Sequence, residues 1–271
     1  MMFPKHHTIG GGLMGRQDNQ ADLKSHWDEN GWVFVRGFLD ADEVAGLRKE
    51  IDRYIEDVAP TVPEYEVMYD VKGRPETLKR LGHMSKYDEY FSDLIHTGKF
   101  MALAELLLGG DVAPQYCQLF NKAARVGVET PAHQDSYYIP LQPNEALTMW
   151  LALDTADEEN GCLRYISGAH KLPVRPHGPT EIFGFSQGVT DYGDADYAAE
   201  VPVPAEPGDV AIHHWQMVHR AGPNTSDRDR WGLGSVYHVA GAKPDAELQE
   251  ARARDLEKKR AEWAAKGKSG R

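Results

Sequence analysis

Residues 131–138 read Pro131-Ala132-His133-Gln134-Asp135-Ser136-Tyr137-Tyr138, and far downstream the chain runs through His219-Arg220-Ala221-Gly222-Pro223-Asn224 to Arg230-Trp231-Gly232-Leu233-Gly234. Two histidines and one carboxylate, gripping one face of a metal and leaving the other open, are the donor set of a mononuclear non-haem iron(II) centre. In an extended strand side chains alternate between faces, so His133 and Asp135 point the same way, and Tyr137 is expected to join them. The third ligand must arrive from another strand, because three ligands on one short extended segment cannot close a facial triangle. His219 meets that requirement. On spacing alone His213 and His214, inside the buried run Val210-Ala211-Ile212-His213-His214-Trp215, remain alternatives.

The turn Pro207-Gly208-Asp209 opens that buried run, and Arg230 to Tyr237 reads as a second strand, antiparallel to it. On this second strand Arg230, Gly232 and Gly234 share a face. A planar guanidinium followed by two positions without side chains suits a pocket that holds a small dicarboxylate at its base and leaves space above it. Arg230 is therefore the candidate for the distal carboxylate of 2-oxoglutarate. A surface ion pair with Asp227 or Asp229 is the alternative.

Composition agrees with an ordinary folded protein: 41% hydrophobic and 10% aromatic residues in 271. A formal charge of −12 argues against general nucleic-acid binding, which needs a cationic footprint. No apolar run approaches the roughly 18 residues that span a bilayer, and Met1 to Thr8 lacks the apolar core of a secretion signal, so a cytoplasmic location is expected. The only cysteines, Cys117 and Cys162, form no C-x-x-C pair and read as core residues.

Along the chain, residues 1–19 read as a flexible tail, 20–240 as one domain with its helices at the N-terminal side, and 241–271 as a polar helix and tail. Ala21 to Asn30 predicts a helix closed by Gly31, and Trp32 to Val35 a strand. Asp40-Ala41-Asp42-Glu43 has the form of a capping box and opens an amphipathic helix through about Val58, with Val44, Leu47, Ile51 and Ile55 on one face. A further helical stretch covers Tyr87 to Leu108. From Asp111 to His238 short apolar runs alternate with Gly, Pro and Asn turns, which predicts a mainly β core with the helices packed outside it. Residues 173–204 lack periodicity and lie between the second and third ligands, so they are expected to form a lid or substrate loop. Ala246 to Ala265 reads as a solvated surface helix.

Four segments in this order resemble the phytanoyl-CoA dioxygenase family of iron(II)/2-oxoglutarate oxygenases: residues 131–138; Trp150 to Asp154 with Glu159 to Leu163; Ser167 to Lys171; and Pro207 through His219 to Arg230. The resemblance implies a double-stranded β-helix, a cupin-like jelly roll, whose mouth holds Fe(2+) through His133, Asp135 and His219. It favours His219 over its neighbours and implies that Arg230 anchors 2-oxoglutarate, with Gln118 and Trp150 also touching that co-substrate. A basic residue near Lys79 and Arg80 is a further contact whose identity stays open.

With dioxygen as the other co-substrate, the implied reaction is hydroxylation of an unactivated C–H with release of succinate and CO2. Halogenating relatives carry a small residue in place of the carboxylate, so Asp135 favours hydroxylation. The competing readings are a zinc or manganese hydrolase on the same triad, which lacks an obvious general base, and a non-catalytic metal-binding jelly roll. The expected partner is a small, polar or anionic substrate, and the expected state a monomer or homodimer. Tyr137, Arg175 and His177 are the candidate substrate contacts. Tyr138, Phe183, Phe185 and Tyr192 are candidates for an aromatic wall, and Arg125 and Lys171 for receiving an anionic group.

Overall fold

The computed structural model describes residues 20–182 and 184–265; the expected tail over 1–19 and Phe183 lie outside the described residues. Seven strands form the larger sheet, in the order Trp32–Val35, Val210–His214, Ala146–Ala152, Arg230–Val239, Val112–Lys122, Leu78–Leu81 and Val67–Tyr69. All neighbours are antiparallel. The smaller, four-stranded sheet has the order Val201–Val203, Leu163–Tyr165, His219–Ala221 and Thr130–His133, again antiparallel. From Val112 onward the chain passes back and forth between these sheets, which makes the mainly β jelly roll. No helix among the described residues is long and apolar enough to cross a membrane.

Alternation on Ala146–Ala152 separates two cores. Leu147, Met149 and Leu151 face the helices, whereas Trp150 and Ala152 face the space between the sheets with Tyr165, Leu163 and Ala211. On the helix side, Gln20–Asn30 contributes Leu23 and Trp27, Ala41–Arg53 contributes Val44, Leu47 and Ile51, and Gly98–Leu108 contributes Phe100, Leu103, Ala104 and Leu107. The capping box at Asp40 forms: its carboxylate accepts from the Asp42 and Glu43 N–H groups, and Glu43 accepts from the Asp40 N–H at 2.8 Å. The helical stretch toward Leu108 breaks between Glu89–His96 and Gly98–Leu108, where Gly98 takes a φ of +65°. Both cysteines are buried and free.

Three elements differ from the sequence reading. Val210–His214 and Arg230–Val239 are not antiparallel neighbours: Ala146–Ala152 lies between them and pairs antiparallel with each, so the two run the same way. The chain reverses twice between them because it visits the smaller sheet at His219–Ala221. Residues 173–204 are not structureless, since His177–Pro179 pairs with Gln187–Val189 as a hairpin and Asp194–Ala199 is helical. The hairpin tip reaches across the barrel mouth. A Cβ on Gly184 would lie 3.1 Å from Lys79 Cε and 3.4 Å from Met68 Sδ. Finally, Ala246–Ala265 is docked as well as solvated: Lys259 Nζ donates to the His177 carbonyl at 2.7 Å, and Arg252 donates to the carbonyls of Ser136 and Tyr137.

Candidate active site

His133 ends the strand Thr130–His133, and cross-strand register places it opposite His219. Their ring centroids are 4.1 Å apart. His133 Nδ1 lies 2.8 Å from the Pro131 carbonyl and His219 Nδ1 3.1 Å from that of Met217. A proton donated there leaves each Nε2 lone pair free for a metal. Gln134 stays extended (φ −128°, ψ 127°), which keeps Asp135 on the same side as His133. Asp135 Oδ1 is 3.5 Å from His133 Nε2 and 3.9 Å from His219 Nε2, and one donor atom from each of the three residues lies within 4.8 Å of the others.

The other carboxylate oxygen is held from behind. Thr148 Oγ1 donates to Asp135 Oδ2 at 2.8 Å, and His213 Nε2 lies 3.2 Å from it. Tyr165 OH is 3.0 Å from His213 Nδ1, so a hydroxyl proton donated there fixes the tautomer in which His213 Nε2–H donates to the carboxylate. Burial opposes ionisation of Asp135, but the neighbouring imidazoles of His219, His133 and His213 outweigh it and hold the carboxyl well below its usual range. Burial, reinforced by His133 and His213, pushes His219 well below the usual imidazole range. An ionised carboxylate and a neutral imidazole are the states that bind a metal. His214 is engaged elsewhere, against Glu145 Oε2 at 3.5 Å.

His133, Asp135, Thr148, His213 and His219 line a cavity of about 150 Å³ that continues inward to Arg230. Arg230 is 4% exposed, its guanidinium sits over the Trp150 ring at 4.9 Å, and its Nε has no hydrogen-bond partner among the described residues. Burial lowers its pKa to about 10, so it remains a cation at neutral pH. The alternative ion pairs are not formed: Asp227 accepts from Arg125, while Asp229 accepts from the Ala124 N–H and from Trp231 Nε1. A buried charge without a partner is costly, and an entering carboxylate removes that cost. The donor set at one end and the unpartnered cation at the other fit iron and 2-oxoglutarate.

The glycines do something other than leave open space. A Cβ on Gly232 would fall 2.3 Å from the Trp150 ring, and one on Gly234 3.0 Å from the Phe120 ring. Their absence lets both aromatic rings lie flat as the cavity wall beside Arg230. Gly232→Ala is therefore expected to lose about 1–3 kcal/mol of stability by overpacking and to weaken 2-oxoglutarate binding through a displaced Trp150. Denaturant titration and a 2-oxoglutarate binding curve check this together, and wild-type values in both would contradict it.

Gln118 and Trp150 line the cavity. So do two lysines that the sequence did not single out or decide. Lys122, 5% exposed, is the cross-strand partner of Arg230 and donates to the Val128 carbonyl. Burial, with Arg230 and Lys79 nearby, pushes its pKa well below the usual lysine value. Lys79, not Arg80, is in the lining, paired with Asp70 at 2.7 Å. A lysine ordinarily signals a surface position, so Lys122 was not legible as a cavity residue, and Lys79 could not be told from Arg80.

Tyr137, Arg175 and His177 do not line the cavity. Asp135–Tyr138 is a single helical turn, and two residues along a helix rotate the side chain by roughly 200°, so Tyr137 leaves the face shared by His133 and Asp135. Its ring stacks on His177 at 4.0 Å with 16° between planes, behind the ligand segment. Arg175 is engaged by Asp191 and Asp196. Arg125 is exposed beside Asp227, and Tyr192 OH donates to Glu200. Of the aromatic candidates Phe185 does line the cavity, with its ring 5.9 Å from that of His133.

A model of the phytanoyl-CoA dioxygenase (PhyH) family matches residues 27–232. The chain is 25% identical to the peroxisomal phytanoyl-CoA dioxygenase of Bos taurus over 264 residues, covering 86% of this chain and 76% of that protein. It is also 25% identical to a probable alpha-ketoglutarate-dependent hypophosphite dioxygenase of Stutzerimonas stutzeri, over 83% of this chain and 80% of the relative. Among solved structures, the epimerase SnoN in complex with Fe3+, alpha ketoglutarate and nogalamycin RO superposes with a TM-score of 0.67 at 26% identity, over 84% of this chain and 88% of its own. EvdO2 from Micromonospora carbonacea var. aurantiaca, complexed with 2-oxoglutarate, gives 0.66 at 27% identity over 87% and 96%. The chain belongs to the phytanoyl-CoA dioxygenase family of iron(II)- and 2-oxoglutarate-dependent oxygenases.

Proposed function

We propose that this oxygenase hydroxylates an unactivated C–H of a small-molecule substrate, with His133, Asp135 and His219 holding iron and Arg230 anchoring the distal carboxylate of 2-oxoglutarate. One observation carries the reading: a compact His-Asp-His donor set and a buried, unpartnered arginine share one cavity. Iron with 2-oxoglutarate and dioxygen supplies an oxidant strong enough to take hydrogen from such a bond, and succinate and CO2 are released.

The chain's own residues divide the cavity. Along Arg230–Val239 the side chains of Arg230, Gly232, Gly234 and Val236 share a face, and at roughly 3.4 Å per residue Arg230 and Val236 stand about 20 Å apart. Arg230 and Lys122 mark the co-substrate end. Val236 is paired with Tyr116 on one side and with Thr148 on the other, the residue that holds Asp135. Tyr116, Trp215, Val236 and Phe185 therefore form the substrate end, beyond the metal. This end is apolar and aromatic. The basic candidates Arg125 and Arg175 already have acidic partners, which supports a substrate that presents hydrocarbon to the iron over one held there by an anionic group. Phe185, carried by the hairpin, closes the mouth and keeps water from the reacting centre.

The test is succinate formation from labelled 2-oxoglutarate with iron(II) and dioxygen, screened against candidate substrates with product mass recorded. Substrate-stimulated succinate with a product heavier by one oxygen is expected. An unchanged product mass would point instead to the kind of outcome named for the epimerase SnoN, and turnover independent of dioxygen would point to hydrolysis.

A further inference from the structure

We infer that Arg252, on the C-terminal helix Ala246–Ala265, is a positioning residue for the metal site: it fixes the one-turn helix that carries Asp135. This rests on the reading that His133, Asp135 and His219 hold iron. A single helical turn has almost no internal hydrogen bonding, so its carbonyls need outside donors or it frays. Arg252 Nη1 supplies them, donating to the Ser136 carbonyl at 2.6 Å and the Tyr137 carbonyl at 2.9 Å.

The same guanidinium lies 4.5 Å from the centre of the Tyr137 ring, and the far face of that ring stacks on His177. His177 Nε2 accepts from the Gln134 N–H at 3.3 Å, and its Nδ1 is anchored 2.9 Å from the Arg175 carbonyl. Gln134 is further tied by its own amide, which donates to the Gln216 carbonyl and accepts from the Arg175 N–H, each at 2.8 Å. The pile Arg252, Tyr137, His177 thus grips the His133-Gln134-Asp135 segment from behind on both sides of the carboxylate. Lys259, two turns further along the helix, holds the His177 carbonyl and keeps the pile in register. The geometry gives three residues that looked like substrate contacts, Tyr137, Arg175 and His177, one structural purpose in common. It also gives the terminal helix a task at the metal site although it does not line the cavity.

The test uses the full-length protein, Arg252→Ala and Arg252→Lys, with Fe(II) titrated anaerobically in the presence of 2-oxoglutarate and the visible charge-transfer band recorded. Thermal unfolding of each metal-free protein is measured alongside. Partners that orient a ligand typically contribute 10–100-fold to metal affinity. Arg252→Ala is expected to raise half-saturating Fe(II) by about 10-fold, and Arg252→Lys, which keeps a donor but not the planar stack, by less. Wild-type affinity in Arg252→Ala overturns the proposal. If Arg252→Ala does not fold, Arg252→Lys decides: a weakened band at an unchanged metal-free unfolding temperature supports it, and wild-type affinity overturns it. Absence of any band in the wild-type protein would sink the metal assignment itself, a distinct result.

Discussion

Replacing His219 with alanine is expected to abolish the visible iron(II)–2-oxoglutarate band and to lower metal affinity by more than about 100-fold, the upper range for residues that only orient a ligand. The reason is geometric. His219 Nε2 is one of three donor atoms gathered within 4.8 Å, and it comes from a different segment of the chain than His133 and Asp135, so without it the remaining two cannot close a face. His213→Ala is the informative companion. His213 meets the carboxylate oxygen turned away from the donor cluster, so its loss is expected to lower metal affinity by about 10-fold without erasing the band. A larger effect of His213→Ala than of His219→Ala would reverse these roles, and a wild-type band in His219→Ala would remove His219 from the ligand set.

Arg230→Ala is expected to raise half-saturating 2-oxoglutarate by about 100-fold while leaving the rate at saturation far less affected. Two charge-assisted hydrogen bonds at about 1.5–3 kcal/mol each give roughly 3 kcal/mol after discounting for water that enters, and 1.4 kcal/mol is tenfold. Arg230→Lys should fall between, because an ammonium carries the charge without the planar fork. A second readout separates binding from folding. Arg230 is a buried cation whose Nε has no hydrogen-bond partner among the described residues, so removing it should leave the metal-free protein as stable as wild type or more so. Normal 2-oxoglutarate affinity in Arg230→Ala would move the anchoring role to another cation in the cavity, with Lys122 the nearest candidate across the strand pair.

What the sequence discloses follows from how narrowly each task constrains residue type. Metal ligation admits few side chains, so His133, Asp135 and His219 stand out wherever they fall, and a strand buried on both faces reads as an unbroken apolar run, as Thr148 to Leu153 does. Arg230 with two glycines was readable for a similar reason, though the glycines turn out to seat Trp150 and Phe120. Other features depend on partners far away in the chain. Tyr137 leaves the shared face because Asp135 starts a helical turn that is capped by Arg252, more than a hundred residues later. Arg175 looked available until Asp191 and Asp196 were placed beside it by the folding of the hairpin region. Lys122 and Lys79 resemble surface lysines until a cross-strand arginine and a buried aspartate supply their context.

Thr130–His133 is an edge strand of only four residues, and it pairs with His219–Ala221 through a register that shifts between His219 and Ala221. Short, irregular edges are among the first parts of a protein to open locally. Iron bound by His133 and His219 would join the edge to its neighbour by a bond far stronger than the ladder between them, so metal occupancy and the closure of this edge are linked. Loss of iron from such a site would leave this edge to its short ladder alone, and rebinding would tie it to its neighbour again.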